Sequence, residues 1–293
     1  MFMKKSYNST RPGLDSSGQG SGEPSIPAAM TELLPEERLR KKIHIRNPLL
    51  RNALSEFFGT ALLLFIGLSI VMQFILSGEK LNTWIQINIG WGLAIAFCVY
   101  ACSKTSGGHF NPAVSFAMFT LGRLSLRDFL VYCLVQTIGA FFGAIGAFGI
   151  YYDQFVKYAG TLRTIVGPRA TAACFCSFPA AHLSNLTCFF DQVAGTGLLL
   201  FFVVVIIDRR NGIPAAAHPF LFGFVLVMIG EPCEIFIALI MIYHNYYFWI
   251  PIIAPFFGAA LAAWSYHIFI GAHIPDPVQE YVLDEVKQPL KSA

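Results

Sequence analysis

The feature that most constrains this chain is a series of long apolar stretches with almost no charged residue inside them. Crossing the ~30 Å hydrocarbon core of a bilayer takes about 20 helical residues, because each residue adds ~1.5 Å. Six stretches have that length, and Asp191 is the only Asp, Glu, Lys or Arg residue within them. In chain order they are Phe57–Leu76, Trp84–Ser103, Phe129–Ile150, Phe189–Ile207, Gly212–Gly230 and Tyr246–Ile270. The sequence therefore predicts an all-α membrane protein with six transmembrane helices.

Composition supports the same class and excludes several others. Apolar residues make up 55% of the 293 residues and charged residues 13%, whereas a soluble domain carries roughly 25% charge. The formal net charge of +3 is too small to indicate a nucleic-acid partner. The seven cysteines form no CxxC pair, and no metal-ligand cluster, nucleophile elbow or phosphate loop is present. We therefore expect no enzyme activity, cofactor or metal site.

The two ends of the chain are polar. Residues 1–47 are rich in Ser, Gly, Pro and charge, which predicts a mostly disordered tail. Residues 48–272 then form the membrane domain, and residues 273–293 a second tail. A basic cluster directly before the first apolar stretch either contacts anionic lipid headgroups or anchors the topology, and we favour the anchor. Its members are Arg38, Arg40, Lys41, Lys42 and Arg46.

The placement of lysine and arginine predicts the orientation. With a cytoplasmic N-terminus, sixteen of the twenty Lys and Arg residues fall on the inner side and four on the outer side. Both termini are therefore expected in the cytoplasm. The sequon at Asn185 then lies in the long outer loop, which makes it a candidate for N-glycosylation. Cys174, Cys176 and Cys188 share that loop, where a disulfide between them stays unassigned.

A shorter apolar segment separates the second and third stretches. Asn111 and Pro112 suit the cap and the first position of a helix. The apolar run that follows covers about nine residues, or ~14 Å of helix, which is half a membrane. An ordinary cytoplasmic loop would expose Phe116, Met118 and Phe119 to water, so we predict a re-entrant half-helix. Its lead-in, Gly107–Phe110, would then present backbone carbonyls to a polar cavity.

Several motifs resemble those of the major intrinsic proteins, and specifically of the aquaglyceroporins. The resemblance runs from about His44 to Pro275. Ser106–Val114 resembles the first Asn-Pro-Ala motif of the family, which identifies Asn111, Pro112 and Ala113 as pore residues. Gly107, Gly108, His109 and Phe110 would supply the pore-lining carbonyls. The other matching segments are Glu56–Thr60, Phe189–Gln192, Trp249–Pro251 and Pro255–Gly258. The resemblance implies an aquaporin-like inverted-repeat bundle.

Two residues match positions at the narrowest ring of the family. Trp91 matches the bulky aromatic residue that glycerol-passing members place there, and Gly230 the small residue where water-specific members carry His. An apolar wall facing hydrogen-bonding groups suits a polyol, which has both C–H and O–H edges. The alternative is that Trp91 is a packing aromatic residue and Gly230 a helix-contact glycine.

The resemblance breaks after Gly230. The family carries a second Asn-Pro-Ala half-helix there, followed by an arginine. Residues 231–247 contain neither that motif nor any Lys or Arg. We therefore expect an incomplete second repeat. A similar set of residues in looser order, Asn211–Ala215, lies at the start of the fifth stretch rather than after it, and it is interpreted as a polar turn.

Three functions follow as hypotheses. The leading one is a passive plasma-membrane channel for water and small neutral solutes such as glycerol, assembled as a homotetramer or as a heterotetramer with intact relatives. The second is a non-conducting or regulatory subunit of such a tetramer, because the second half-helix is missing. The third is a secondary transporter, for which Glu56, Asp191 and His267 are the ionisable candidates.

Overall fold

A computed structural model describes residues 34–275 except residues 162, 166, 177, 181 and 231–246. This part of the chain is helical and contains no β-strand. Its α-helices are α1 (Pro35–Ile43), α2 (Pro48–Leu76), α3 (Trp84–Cys102), α4 (Pro112–Thr120), α5 (Leu126–Ala159), α6 (Asn185–Ile207), α7 (His218–Ile229) and α8 (Ile250–Phe269). The predicted fold class, a helical aquaporin-like bundle, is confirmed. Whether the second repeat is incomplete depends on residues 231–246, which lie outside the described residues.

Helix α1 lies within the predicted N-terminal tail and forms a unit separate from the rest. Its first turn carries Glu36 and Glu37, and its last turn Arg40, Lys41 and Lys42. Negative charge at a helix N-terminus and positive charge at its C-terminus both interact favourably with the helix dipole. The predicted disorder covers residues 1–47, of which residues 1–33 lie outside the described residues; it and the domain boundaries stay a prediction.

Five helices in the described part are long and apolar enough to cross a membrane: α2, α3, α5, α6 and the segment Tyr247–His273 that contains α8. The sequence placed three of their starts too late, those of α2, α5 and α6, of which α6 begins at Asn185. Helix α2 begins at Pro48, where the Asn47 side chain accepts a hydrogen bond from Leu50 N–H at 3.2 Å. Helix α5 begins at Leu126, after the cap Ser125. The apolar pattern marks only the middle of each helix, because its capping turns are polar.

The predicted fifth span, Gly212–Gly230, also needs correction. Gly212 has a left-handed backbone (φ 67°) and belongs to a turn, so the helix begins only at His218. Pro219 occupies its first turn, where the missing N–H is tolerated. Helix α7 therefore has 12 residues, too few to cross a bilayer alone. The count of six spans stays a prediction.

Glycines bring the helices of the bundle into backbone contact. A Cβ on Gly139 of α5 would lie 2.4 Å from the carbonyl oxygen of Phe57 on α2. A Cβ on Gly258 of α8 would lie 2.3 Å from the carbonyl oxygen of Val193 on α6. Helices α3 and α7 approach each other in the same way. Small residues at such contacts are typical of membrane helices, which associate through close packing rather than through the hydrophobic effect.

Candidate functional site

The predicted half-helix is α4, and the structure places it among longer helices. Asn111 caps it, accepting a hydrogen bond from Ala113 N–H at 2.8 Å through its side-chain oxygen. Ala113 and Ala117 are fully buried against residues of α6 and α8, including Leu200 and Ala259. This burial argues against the alternative interpretation of the segment as an exposed cytoplasmic loop.

The lead-in to α4 has an unusual backbone. Gly107, Gly108 and Phe110 have φ values of 97°, 70° and 51°. The left-handed region costs a residue with a Cβ roughly 1–2 kcal/mol, so Phe110 must be held there by its surroundings. Among the described residues, none donates a hydrogen bond to the carbonyl oxygens of Gly107–Phe110. These oxygens are therefore available to a bound solute.

The Glu56 carboxylate on α2 holds this backbone in place. Its two oxygens accept hydrogen bonds from His109 N–H at 3.0 Å and from Phe110 N–H at 2.8 Å. Gln136 of α5 donates to the same carboxylate at 2.9 Å and to the Ser115 hydroxyl at 3.1 Å. Glu56 is fully buried, and a buried carboxylate is tolerated only when its oxygens are hydrogen-bonded. The network joins α2, α4 and α5.

Side chains fix the lead-in from two further directions. The Phe110 ring packs on Gly59, where a Cβ would lie 2.1 Å from the ring. The Tyr132 hydroxyl donates to the carbonyl oxygen of Ser106 at 2.9 Å. The sequence analysis gave no role to Tyr132, Gln136 or Ser115. A carboxylate such as Glu56 beside a long apolar stretch is the signal that buried donors must exist, although it does not say where.

A cavity of about 400 Å³ lies beside the lead-in and the first turn of α4. Its polar lining includes residues 107–111, the segment with the available carbonyl oxygens, together with the side chains of Thr60, Ser103, Lys104, Gln136, Thr137 and His218. Most of the other lining residues are apolar and come from α2, α3, α6 and α7, with Leu63, Trp91, Val203 and Phe222 among them. The cavity thus combines hydrogen-bonding groups with hydrocarbon and aromatic groups.

The structure does not bring Trp91 and Gly230 together at this cavity. Trp91 lines it, is 4% exposed, and packs on Gly67, where a Cβ would lie 2.2 Å from the ring. Gly230 ends α7 with φ 75° and is not among the lining residues. A Cβ there would lie 3.8 Å from the Asn88 side-chain nitrogen, one turn before Trp91 on α3. The two-residue selectivity ring stays a prediction.

Asn185, Asn211 and the described cysteines are not among the residues that line the cavity. Asn185 begins α6, and its glycosylation stays a prediction. The described cysteines form no disulfide. Asn211 donates to the Val205 carbonyl oxygen at 2.8 Å and to the Tyr266 hydroxyl at 3.0 Å, which agrees with the interpretation of Asn211–Ala215 as a polar turn.

Comparison with known proteins agrees with this geometry. A sequence model of the family described as "Major intrinsic protein" matches residues 44–266. Human aquaporin-9 is 35% identical over 261 residues, which cover 81% of this chain and 88% of that protein. Human aquaporin-10 is 31% identical over 271 residues, covering 82% and 88%. The X-ray structure of the aquaglyceroporin from Plasmodium falciparum superposes with a TM-score of 0.68 at 24% identity, over 77% of this chain and 98% of that one.

Proposed function

The chain belongs to the major intrinsic protein family and is a membrane channel for water and small neutral solutes such as glycerol; we propose that these solutes pass through the cavity beside Asn111. The observation that carries this proposal is the backbone of residues 107–110: His109 and Phe110 donate their N–H groups to Glu56, whereas the four carbonyl oxygens have no described donor. Solute hydroxyl groups would donate to these oxygens in place of water.

Asn111 is part of the polar lining. Its side-chain oxygen accepts the Ala113 N–H, which leaves the amide NH₂ to donate to a passing hydroxyl group or water molecule. Apolar lining residues such as Leu63 and Val203 offer no such partner. A polyol can turn its C–H edge to these residues and its O–H edge to the carbonyls, so small polyols are the solutes that fit best.

Helix α4 contributes an electrostatic barrier to ions. Its N-terminus carries a partial positive charge, equivalent to roughly half an elementary charge, and lies at the cavity beside Asn111 and Pro112. A cation in this largely apolar cavity would be repelled and poorly solvated, whereas a neutral solute would not. Neutral solutes are therefore the substrates of this channel.

Assembly and location are part of the proposal. The basic residues predict that both termini are cytoplasmic, and the plasma membrane is the proposed site of action. Large apolar side chains cover the outer surface of the bundle; examples are Phe58, Phe141, Phe224 and Leu261, which are 54% exposed or more. Such a surface fits lipid and neighbouring subunits, and a homotetramer or a heterotetramer with intact relatives is the proposed assembly.

Swelling of oocytes in isotonic glycerol tests the function. Oocytes that express the chain should take up glycerol and swell faster than water-injected oocytes, with no dependence on a proton or sodium gradient. Surface labelling must first show that the chain reaches the plasma membrane. Equal swelling of the two groups despite surface expression would contradict conduction.

A further inference from the structure

A second depression in the bundle is lined by three arginines. Arg123, Arg209 and Arg210 surround it, and Ile207 and Asp208 complete its wall. The arginines come from two separate parts of the chain: Arg123 follows α4, whereas Arg209 and Arg210 follow α6. We call this set the arginine site.

The end of α4 fixes the backbone position of Arg123. Gly122 ends α4 in the left-handed conformation (φ 69°), and Arg123 N–H donates to the Met118 carbonyl oxygen at 2.8 Å. This arrangement is a common helix terminus that directs the next residue out of the helix. Leu124 packs in the same apolar cluster as Ile207, so the loop after α4 is held against the end of α6.

The carboxylate in the site is already occupied. Asp208 accepts from Arg210 Nε at 3.0 Å and Nη2 at 2.6 Å, and from the Tyr266 hydroxyl at 2.9 Å. These hydrogen bonds, first of all those from Arg210, hold the pKa of Asp208 well below its usual range, so the group is ionised. Arg123 and Arg209 have no carboxylate partner among the described residues. Within the described part of the chain, two positive charges of the site thus have no carboxylate beside them.

We propose that the arginine site binds the phosphate group of an anionic lipid from the cytoplasmic leaflet. The proposed orientation puts the ends of α4 and α6 on the cytoplasmic side, where the leaflet carries negative lipids. The guanidinium group is suited to phosphate because it donates two parallel N–H bonds. Ile207 also lines the solute cavity, so a headgroup bound here lies next to the inner mouth of the channel.

Lipid retention by the purified full-length chain tests this site. Native mass spectrometry would compare phosphatidic acid with phosphatidylcholine at equal concentration, and phosphatidic acid should be retained selectively. At ~1 kcal/mol for each basic residue, the double variant R123Q/R209Q should weaken retention roughly thirtyfold. The matched variant K41Q/K42Q removes the same charge from α1 and should change retention by less than about threefold. The variant R123K/R209K keeps the charge but loses the paired N–H donors, so it should weaken retention measurably and by less than R123Q/R209Q; it serves as the test if R123Q/R209Q does not fold.

Three results would overturn the proposal. Unchanged retention in R123Q/R209Q, or an equal loss in K41Q/K42Q, would show that the arginine site is not where the lipid binds. Inorganic phosphate, titrated against the chain in phosphatidylcholine nanodiscs, should not bind; binding that R123Q/R209Q abolishes would assign the site to soluble phosphate instead. No solute flux is measured in these experiments, so their failure leaves the channel proposal standing.

Discussion

Glu56 and Phe110 are 54 residues apart in the chain, yet the Glu56 carboxylate accepts the Phe110 backbone N–H at 2.8 Å inside the bundle. Phe110 is also one of two described non-glycine residues with positive φ. The hydrogen bond therefore helps to hold Phe110 in a strained backbone conformation. The polar lining that residues 107–111 provide depends on this contact.

Replacing Glu56 by Gln should lower stability and flux together. The amide has one acceptor oxygen instead of two, so one of the two backbone N–H groups loses its partner while buried. A lost hydrogen bond to a charged group costs roughly 1.5–3 kcal/mol. The unfolding temperature of the purified chain should decrease clearly, and glycerol uptake measured by stopped flow should be slower. Glu79→Gln, at an exposed position, is the control; an equal effect there would contradict the role of Glu56.

Replacing Gly59 by Ala should disturb the lead-in from the other side. The new methyl group would lie 2.1 Å from the Phe110 ring, so either the ring or α2 must move. Overpacking of this kind typically costs 1–3 kcal/mol. Gly149→Ala is the matched control, because a Cβ there meets nothing within 4 Å and alanine favours the helix. The temperature of thermal unfolding should fall for Gly59→Ala and not for Gly149→Ala. An unchanged unfolding temperature for Gly59→Ala would show that the Phe110 ring is loosely held.

Replacing Gly67 by Ala should narrow the cavity. The methyl group would lie 2.2 Å from the Trp91 ring, which lines the cavity, and the ring must move away from α2. Glycerol fills more of the cavity than water, so glycerol permeability should fall by a larger factor than water permeability. Light scattering from proteoliposomes measures both rates on one sample. An equal fall of the two rates, or none, would argue against Trp91 as part of the solute path.

The ion pair between Asp208 and Arg210 should make stability depend on pH in the acid range. Because the folded-state pKa of Asp208 is lowered, its contribution is fully present above the unfolded pKa of about 3.9 and is lost as the pH falls toward the folded value. At pH 5 the wild type should therefore unfold at a clearly higher temperature than Asp208→Asn. At about pH 2.5 the difference between the two unfolding temperatures should be smaller. A difference that does not change with pH would mean that the carboxylate charge is not responsible.

The sequence predicted the half-helix well because its signals are local. Asn111 as cap, Pro112 at the first position and Gly122 after the end are each set by their own backbone conformation. Helix α7 was predicted too long because the fifth stretch was begun at Gly212, within the turn Asn211–Ala215 that the sequence also indicated.

The contacts around Glu56 were beyond sequence reasoning. Gln136 is 80 residues away from Glu56 in the chain, and nothing in its neighbourhood marks it as a partner of a carboxylate. The position of Trp91 at the cavity followed only from resemblance to a family, since a tryptophan in an apolar helix is usually a packing residue. Pairs that meet only through the tertiary fold have no local pattern to reveal them.

The most direct test of the account is glycerol uptake by proteoliposomes that contain a variant whose cavity is filled by a large side chain. Ala140 lines the cavity from α5, and Ala140→Trp should obstruct it, whereas Ile145→Trp places the same side chain on the 49% exposed outer surface of that helix. We predict that wild type and Ile145→Trp shrink and re-swell in hyperosmotic glycerol much faster than protein-free vesicles, and that Ala140→Trp does not. Rates for the folded Ala140→Trp variant equal to those of wild type would contradict passage through this cavity.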